Sequence, residues 1–375
     1  MVLECNFYIC QKQNEVLTCV LTGFIVDTYP NSNIVMMMKM KQIAYVFLAV
    51  SMFSCVSRNA RQEETASLAA VDSLSVEMGF PTLIKQAGRR LFVNHSMSDE
   101  GMIDVIDIDG DSVAYSFALH GQGPDEFLQI ASMDVVDRGG HSYFTVFDNL
   151  KREYVTYSVD SLDATKGRCR PVSRKSLPPS SRYLEVYELD GMYVATGRTA
   201  KKFSLLDPQD MHRLRSCCDY LSGGFEDTDS MTLSKANFGC QYVSSRRDRV
   251  AGVGFMGGTL SVYAVADDSL RTEWTYTCSP FKYSKDGSSL RFESPVGYLA
   301  AGFSDDGVVA LYCGEADKDD GSNFGKELHL FDRKGVLKKK LQLDAGWYNF
   351  TIDSAGRFIY AIAYNPDPKL LIYRI

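Results

Sequence analysis

Four aspartates crowd one short stretch, Asp104, Asp107, Asp109 and Asp111 in DVIDIDGDS. Closely spaced carboxylates suggest calcium, a hard cation that gathers several oxygen ligands. An EF-hand loop starting at Asp107 would need Gly at 112 and Glu at 118; the chain has Ser112 and Ala118. Asp109-Gly110 therefore reads as a solvated hairpin turn. A second acidic run, Glu315 to Gly321, reads as wet surface, with a weak hard-cation site as the alternative. The histidines His95, His120, His141, His212 and His329 form no HExxH pair and read as surface or packing residues. No GxSxG is present, and Ser284-Lys285-Asp286-Gly287 lacks the Thr-Trp that would complete a sialidase Asp-box. Cys217 and Cys218 are adjacent, which permits redox chemistry as well as simple packing at a strand end. The RRDR run brings Arg246, Arg247 and Arg249 together. Such a positive spot can meet an anionic glycan or protein partner, or remain a solvated turn. These arginines are the candidate ligand contacts; the sequence supplies no catalytic residue, no metal ligand and no cofactor motif.

A net charge of −7 argues against a general nucleic-acid binder, which needs a basic surface. Ten cysteines are present without a CxxC pair, so zinc-ribbon and thioredoxin readings have no support. Cys169, Cys217, Cys218, Cys240, Cys278 and Cys313 read mostly as small buried residues, and an exported chain could pair some of them.

The N-terminal region reads as an address. Met38-Lys39-Met40-Lys41 followed by Ile43–Val50 gives a basic stretch and a short apolar run. Ser54-Cys55 resembles a bacterial lipobox, which makes Cys55 the expected lipidation site and 38–55 a lipoprotein signal peptide. An ordinary cleaved signal and a retained anchor are the alternatives. Such a signal must be N-terminal, so 1–37 reads as an over-called start; the alternative is a real extension whose mild apolar run, Val16–Val26, lies on a membrane. Residues 56–72 are small and polar and read as a flexible tether.

From Ser73 onward, short apolar strands alternate with tight turns, and no helical period is sustained. The strands fall into units: Thr82–Leu119, Met133–Leu177, Tyr183–Cys217, Cys240–Cys278, Tyr298–Leu343 and Tyr348–Tyr373. The last is one strand short. Ser73–Met78 alternates apolar and polar residues and can pair outside Leu370–Tyr373, leaving no open sheet edge. The expected fold of 73–375 is an all-β six-bladed β-propeller of four-stranded antiparallel blades, its last blade closed by an N-terminal strand. A pair of sandwiches, or a seventh blade hidden in Gly223–Ala236, are the alternatives.

Between the first two units stands Gly121-Gln122-Gly123-Pro124-Asp125-Glu126-Phe127. With the lipobox-like Cys55 and the Asp-Gly turns, this GxGPxEF motif resembles the TolB-like six-bladed propeller lipoproteins of gut-type Gram-negative bacteria. The resemblance implies the fold and a cell-envelope location, with no agreed catalytic residues to carry over. Read physically, the motif is a crossover between blades. Gly121 and Gly123 permit positive φ, Pro124 stiffens the chain, Glu126 caps backbone N–H groups and Phe127 fills the gap between blades.

The expected function is a lipid-anchored outer-membrane lipoprotein, on the periplasmic or surface face. It acts as a non-enzymatic binding or scaffold module for an envelope protein or glycan, without nucleic acid. The alternative is a lactonase- or glycosidase-like envelope hydrolase with a metal at the central channel, which needs several acidic or Asn side chains converging on the axis. Ligand contacts are expected from the loops His95–Gly101, Arg198–Lys202 and Arg246–Arg249.

Overall fold

The computed structural model describes residues 64–74, 76, 79–95, 101–222, 229–279, 283–286, 289–292, 294–317, 323–364 and 367–375. Cys55, the signal segment and the first half of the expected tether lie outside these residues. The second half of that tether is strand: β1 (Glu64–Leu68) and the start of β2 (Asp72–Leu74).

Antiparallel sheets follow in chain order. Blade 1 is β3 (Pro81–Ala87), β4 (Arg90–His95), β5 (Ile103–Asp107) and β6 (Ser112–Phe117). Blade 2 is β7 (Ile130–Arg138), β8 (His141–Asp148), β9 (Glu153–Ser158) and, after helix α1 (Val159–Thr165), β10 (Ser173–Ser176). Blade 3 is β11 (Tyr183–Leu189), β12 (Met192–Gly197), β13 (Phe203–Leu206) and β14 (Arg213–Cys217). Helix α2 (Ser230–Ala236) then leads to blade 4: β15 (Gln241–Val243), β16 (Arg249–Val253), β17 (Thr259–Ala266) and β18 (Ser269–Thr277). The segment that could have hidden a seventh-blade strand thus carries a helix, capped by the Asp229 side chain. A separate hairpin, β19 (Tyr283–Asp286) and β20 (Ser289–Phe292), precedes blade 5.

Blades 5 and 6 share a strand. β21 (Tyr298–Phe303), β22 (Gly307–Tyr312) and β23 (Gly325–Asp332) pair in order with the first half of β24 (Leu337–Ile352). Its second half pairs with β25 (Phe358–Tyr364), which pairs with β26 (Pro368–Arg374). The sequence places a turn at Asp344-Ala345-Gly346; strand continues through it, but the ladder with β23 breaks there, passing from Gln342 to Trp347. Gly346 sits at this corner because a Cβ would lie 2.9 Å from the Phe324 Cβ.

The N-terminal ribbon closes both blades. β2 pairs antiparallel with β26, Leu74 opposite Leu370. β1 lies parallel to β24, Leu68 opposite Leu343, and adds an outer strand to blade 5. Asp344 ties the two together: it accepts from the Ala70 backbone N–H at 2.9 Å and from the Tyr373 hydroxyl at 2.7 Å. Tyr373 in turn accepts from Trp347 Nε1 at 3.1 Å. Two strand edges that would otherwise be open are covered.

Apolar cores fill the seams between blades. Phe92 of blade 1 stacks on Phe144 of blade 2, centroids 4.2 Å apart. Tyr154 of blade 2 meets Tyr193 of blade 3, and Phe203 of blade 3 meets Tyr263 of blade 4. Blades 4, 5 and 6 share a core around Tyr298, Trp347 and Phe350, while Ile84, Leu91, Ile362 and Leu74 close blade 6 onto blade 1. β25 is buried along both faces, which explains its unbroken apolar run, Ile359 to Ala363. The first strands form a ring, β3 against β7, β11, β15, β21, β24 and back to β3. That ring is the wall of the central channel.

Candidate functional site at the channel mouth

In an antiparallel blade, the turn after the first strand falls at one end of the channel and the loop after the second strand at the other. The three loops expected to share a ligand are therefore divided. Arg246–Arg249 follows the first strand of blade 4, whereas Arg198–Lys202 follows the second strand of blade 3 and lies at the opposite end. Most of His95–Gly101 lies outside the described residues.

At the first-turn end is a cavity of about 360 Å³. Lys85 and Asp134 of blades 1 and 2, Tyr242 and the 244–249 turn of blade 4, Phe303 of blade 5 and Phe350 of blade 6 line it. Ser244 organises the turn: its Oγ accepts from the N–H groups of Asp248 and Arg249 at 3.3 and 3.1 Å, and it donates to Asp248 at 2.8 Å. Arg247 adopts φ 60°, the left-handed region, and its carbonyl accepts from Asp190 N–H at 3.0 Å.

This backbone sends the neighbouring arginines to different fates. Arg247 turns inward across the channel. Its guanidinium pairs with the Asp134 carboxylate and donates to the Val135 carbonyl on blade 2, leaving the side chain 11% exposed. Lys85 reaches the other Asp134 oxygen at 3.3 Å and stands over the Tyr242 ring. Asp134 is 8% exposed, and two cations share it. Burial pushes its carboxyl up, but Arg247 and Lys85 outweigh that and hold it below the usual range. Arg249 is held in a fork by Glu273, at 2.8 and 3.0 Å, and also meets Asp248. Arg246 is exposed and makes no ion pair among the described residues. Of the three candidate arginines, one braces the channel, one braces the rim, and Arg246 alone faces solvent uncommitted.

Glu185 stands on the first strand of blade 3, partly buried. Burial pushes its carboxyl up to about 8; hydrogen bonds from Thr196 at 3.2 Å and Tyr187 at 3.4 Å only partly offset this. Lys85, Asp134 and Glu185 were not singled out from the sequence, although each interrupts an apolar first strand. A charge inside the innermost strand of a blade must meet a neighbouring strand, a neighbouring blade or the channel, and that is the signal that marks them. Among the described residues, no three of His, Cys, Asp and Glu come together as a metal-ligand set.

The glycine-proline motif forms the crossover between blades 1 and 2 at the other end. Gly123 N–H donates to Glu126 Oε2 at 2.7 Å, and Lys151 donates to the Gly123 and Glu126 carbonyls, each at 2.6 Å. Phe127 is 1% exposed within the seam. Room, more than backbone sign, explains the glycines: a Cβ on Gly121 would lie 2.0 Å from Glu126 Oε2, and one on Gly123 3.0 Å. A family profile described as TolB-like 6-blade propeller-like matches residues 62–355. The chain belongs to the TolB-like six-bladed propeller family.

Solved structures similar to this TolB-like chain include a putative exported protein of Bacteroides fragilis NCTC 9343, at 13% identity and TM-score 0.49, covering 82% of this chain and 93% of that one. The β-propeller domain of Cps50 (Swd1) from Myceliophteria thermophila is similar at 13% identity and TM-score 0.44, covering 82% and 99%. U3-55K is similar at 10% identity and TM-score 0.47, covering 82% and 98%. No curated protein matches the sequence. The aspartate-rich stretch is a hairpin in the TolB-like chain, as its Asp109-Gly110 turn led one to expect: Asp107 pairs with Arg90 at 2.6 Å, while Asp104 is buried against His95 Nε2 at 2.8 Å and Ser116 Oγ at 2.5 Å. His329 is also interior, 2.8 Å from the Tyr298 hydroxyl. In the acidic run, Glu315 pairs with Lys326 at 2.5 Å; residues 318–322 lie outside the described set.

Proposed function

We propose that this TolB-like chain is a non-enzymatic binding module of the cell envelope, anchored by a lipid on Cys55, and that it takes its partner at the first-turn mouth of the channel. One observation carries the reading. Strand ends from blades 1, 2, 4, 5 and 6 converge on one cavity whose inner wall is fixed by the Lys85, Asp134 and Arg247 ion cluster, while Arg246 stands exposed at the rim. A rigid concave site with few placed charges is what recognition requires. Two cations sharing one carboxylate, with Arg246 nearby, favour an acidic partner such as an anionic glycan. The basic and apolar stretch before Cys55 supports export and anchoring.

The full chain, expressed in a Gram-negative host, tests both halves. Mass spectrometry of the N-terminal peptide from the membrane fraction is expected to show a diacylglyceryl group on Cys55; an unmodified Met1 peptide refutes the anchor. Polygalacturonate is expected to bind in a salt-sensitive way, dextran not at all, and Arg246→Glu to weaken binding about tenfold or more. Equal binding of both polymers, or an unchanged Arg246→Glu variant, refutes the site.

A further inference from the structure

Blade 3 ends on two neighbouring thiols. Cys217 closes β14, paired with Phe203, and Cys218 follows in left-handed backbone at φ 61°. The Cys218 S–H donates to the Leu270 carbonyl of blade 4 at 3.4 Å, and the two thiols are neighbours along the chain. Cys217 is 9% exposed and Cys218 is more open, so a small reagent can reach the pair at the seam.

The surroundings favour a thiolate. The Lys202 ammonium stands near Cys218, is 7% exposed, lies 5.1 Å from the centre of the Tyr263 ring, and makes no ion pair among the described residues. A buried cation beside the pair favours ionisation within it. Hydrogen bonding with Cys218, and less strongly with the Leu270 backbone and the Ser269 hydroxyl, favours the ionised Cys217 thiol, and Arg215 adds positive charge. Together they push the Cys217 thiol down to about 6, against the opposing effect of burial, while Cys218 is pushed up.

The geometry points to Cys217 and Cys218 as a reversible thiol–disulfide exchange site whose co-reactant is a small-molecule disulfide. The Cys217 thiolate attacks one sulfur of the co-reactant, a new S–S bond forms, and the other half leaves as a thiolate. Cys218 then gives its proton to solvent and attacks the Cys217 sulfur, expelling the second half. The protein pair loses two electrons and two protons in all, and the co-reactant leaves as two thiols. Adjacent Cα atoms are about 3.8 Å apart, closer than the roughly 4.4–6.8 Å of ordinary disulfides. The closed bond is therefore strained and easily reduced, which marks it as a switch rather than a structural bridge. Closing it also removes the Cys217 thiolate at the seam between blades 3 and 4.

Trypsin releases both cysteines, and no others, in the single peptide Ser216–Lys235. The full chain is incubated with oxidised glutathione in about tenfold excess over reduced, alkylated and digested. The peptide is expected to lose two hydrogens and both alkylation sites, and to regain them when the glutathione ratio is reversed. Cys218→Ser is expected to stop at a glutathione adduct on Cys217. A wild-type peptide that stays fully alkylated, carries only glutathione, or is not reopened by reduced glutathione overturns the proposal. The wild-type measurement stands whether or not the variant folds.

Discussion

Replacing Asp134 by Ala tests whether the channel is braced from within. The carboxylate is 8% exposed and is shared by Arg247, itself 11% exposed, and Lys85, 19% exposed. Its removal leaves two shielded cations facing each other. Breaking a buried ion pair from one side costs about 3–5 kcal/mol. Arg247→Ala is milder, about 2 kcal/mol, because Lys85 still pairs with Asp134. The double variant then costs less than the sum of the singles by about 2 kcal/mol, since both remove the same contact. Urea unfolding followed by tryptophan fluorescence measures this, with Trp347 fully buried between blades 5 and 6 as one reporter. The midpoint is expected to fall while the slope is unchanged. Because the folded Asp134 carboxyl is held below its ordinary range, its contribution is present above the unfolded value of about 3.9 and is lost as pH falls through the folded one. Wild-type and Asp134→Ala stabilities therefore converge in acid. A loss under about 1 kcal/mol at neutral pH, or singles that simply add, would falsify the brace.

Glu185 has the opposite sign. Its folded carboxyl is raised to about 8, so folding takes up a proton above the unfolded value and wild-type stability declines from there toward pH 8. Glu185→Gln should flatten that decline in urea midpoints measured from acid to mildly alkaline pH; parallel curves would reject the shift. Asp344→Ala should cost about 1–3 kcal/mol and speed proteolytic loss of the Glu64–Leu74 ribbon, because Ala70 N–H and Tyr373 lose their common acceptor. Unchanged cleavage would show that strand pairing alone holds the ribbon. Gly121→Ala and Glu126→Ala should each cost about 1–2 kcal/mol and should not add, since both displace the carboxylate that binds Gly123 N–H. Additive losses in thermal unfolding would separate the two residues.

The blades were legible because each is local. Alternation of apolar residues and turn chemistry mark strands such as Arg90–His95 or Phe358–Tyr364 within a few residues, and neighbouring strands pair. Closure at the last blade was legible for the same reason: a unit one strand short implies a donor, and β2 meets β26. What the sequence could not supply is distance across the ring. Arg247 and Asp134 are separated by more than a hundred residues and by a whole intervening blade, yet they meet because the circle brings their strands to one axis. The partition of three neighbouring arginines into brace, rim and exposed cation depends on one left-handed residue and on partners from blades 2 and 4. The parallel seat of β1 on blade 5 was equally hidden, for its short polar segment has no pattern of its own and takes strand form from the edge it covers. Local pattern therefore determined the elements and their order, while closure of the ring decided which charges became interior.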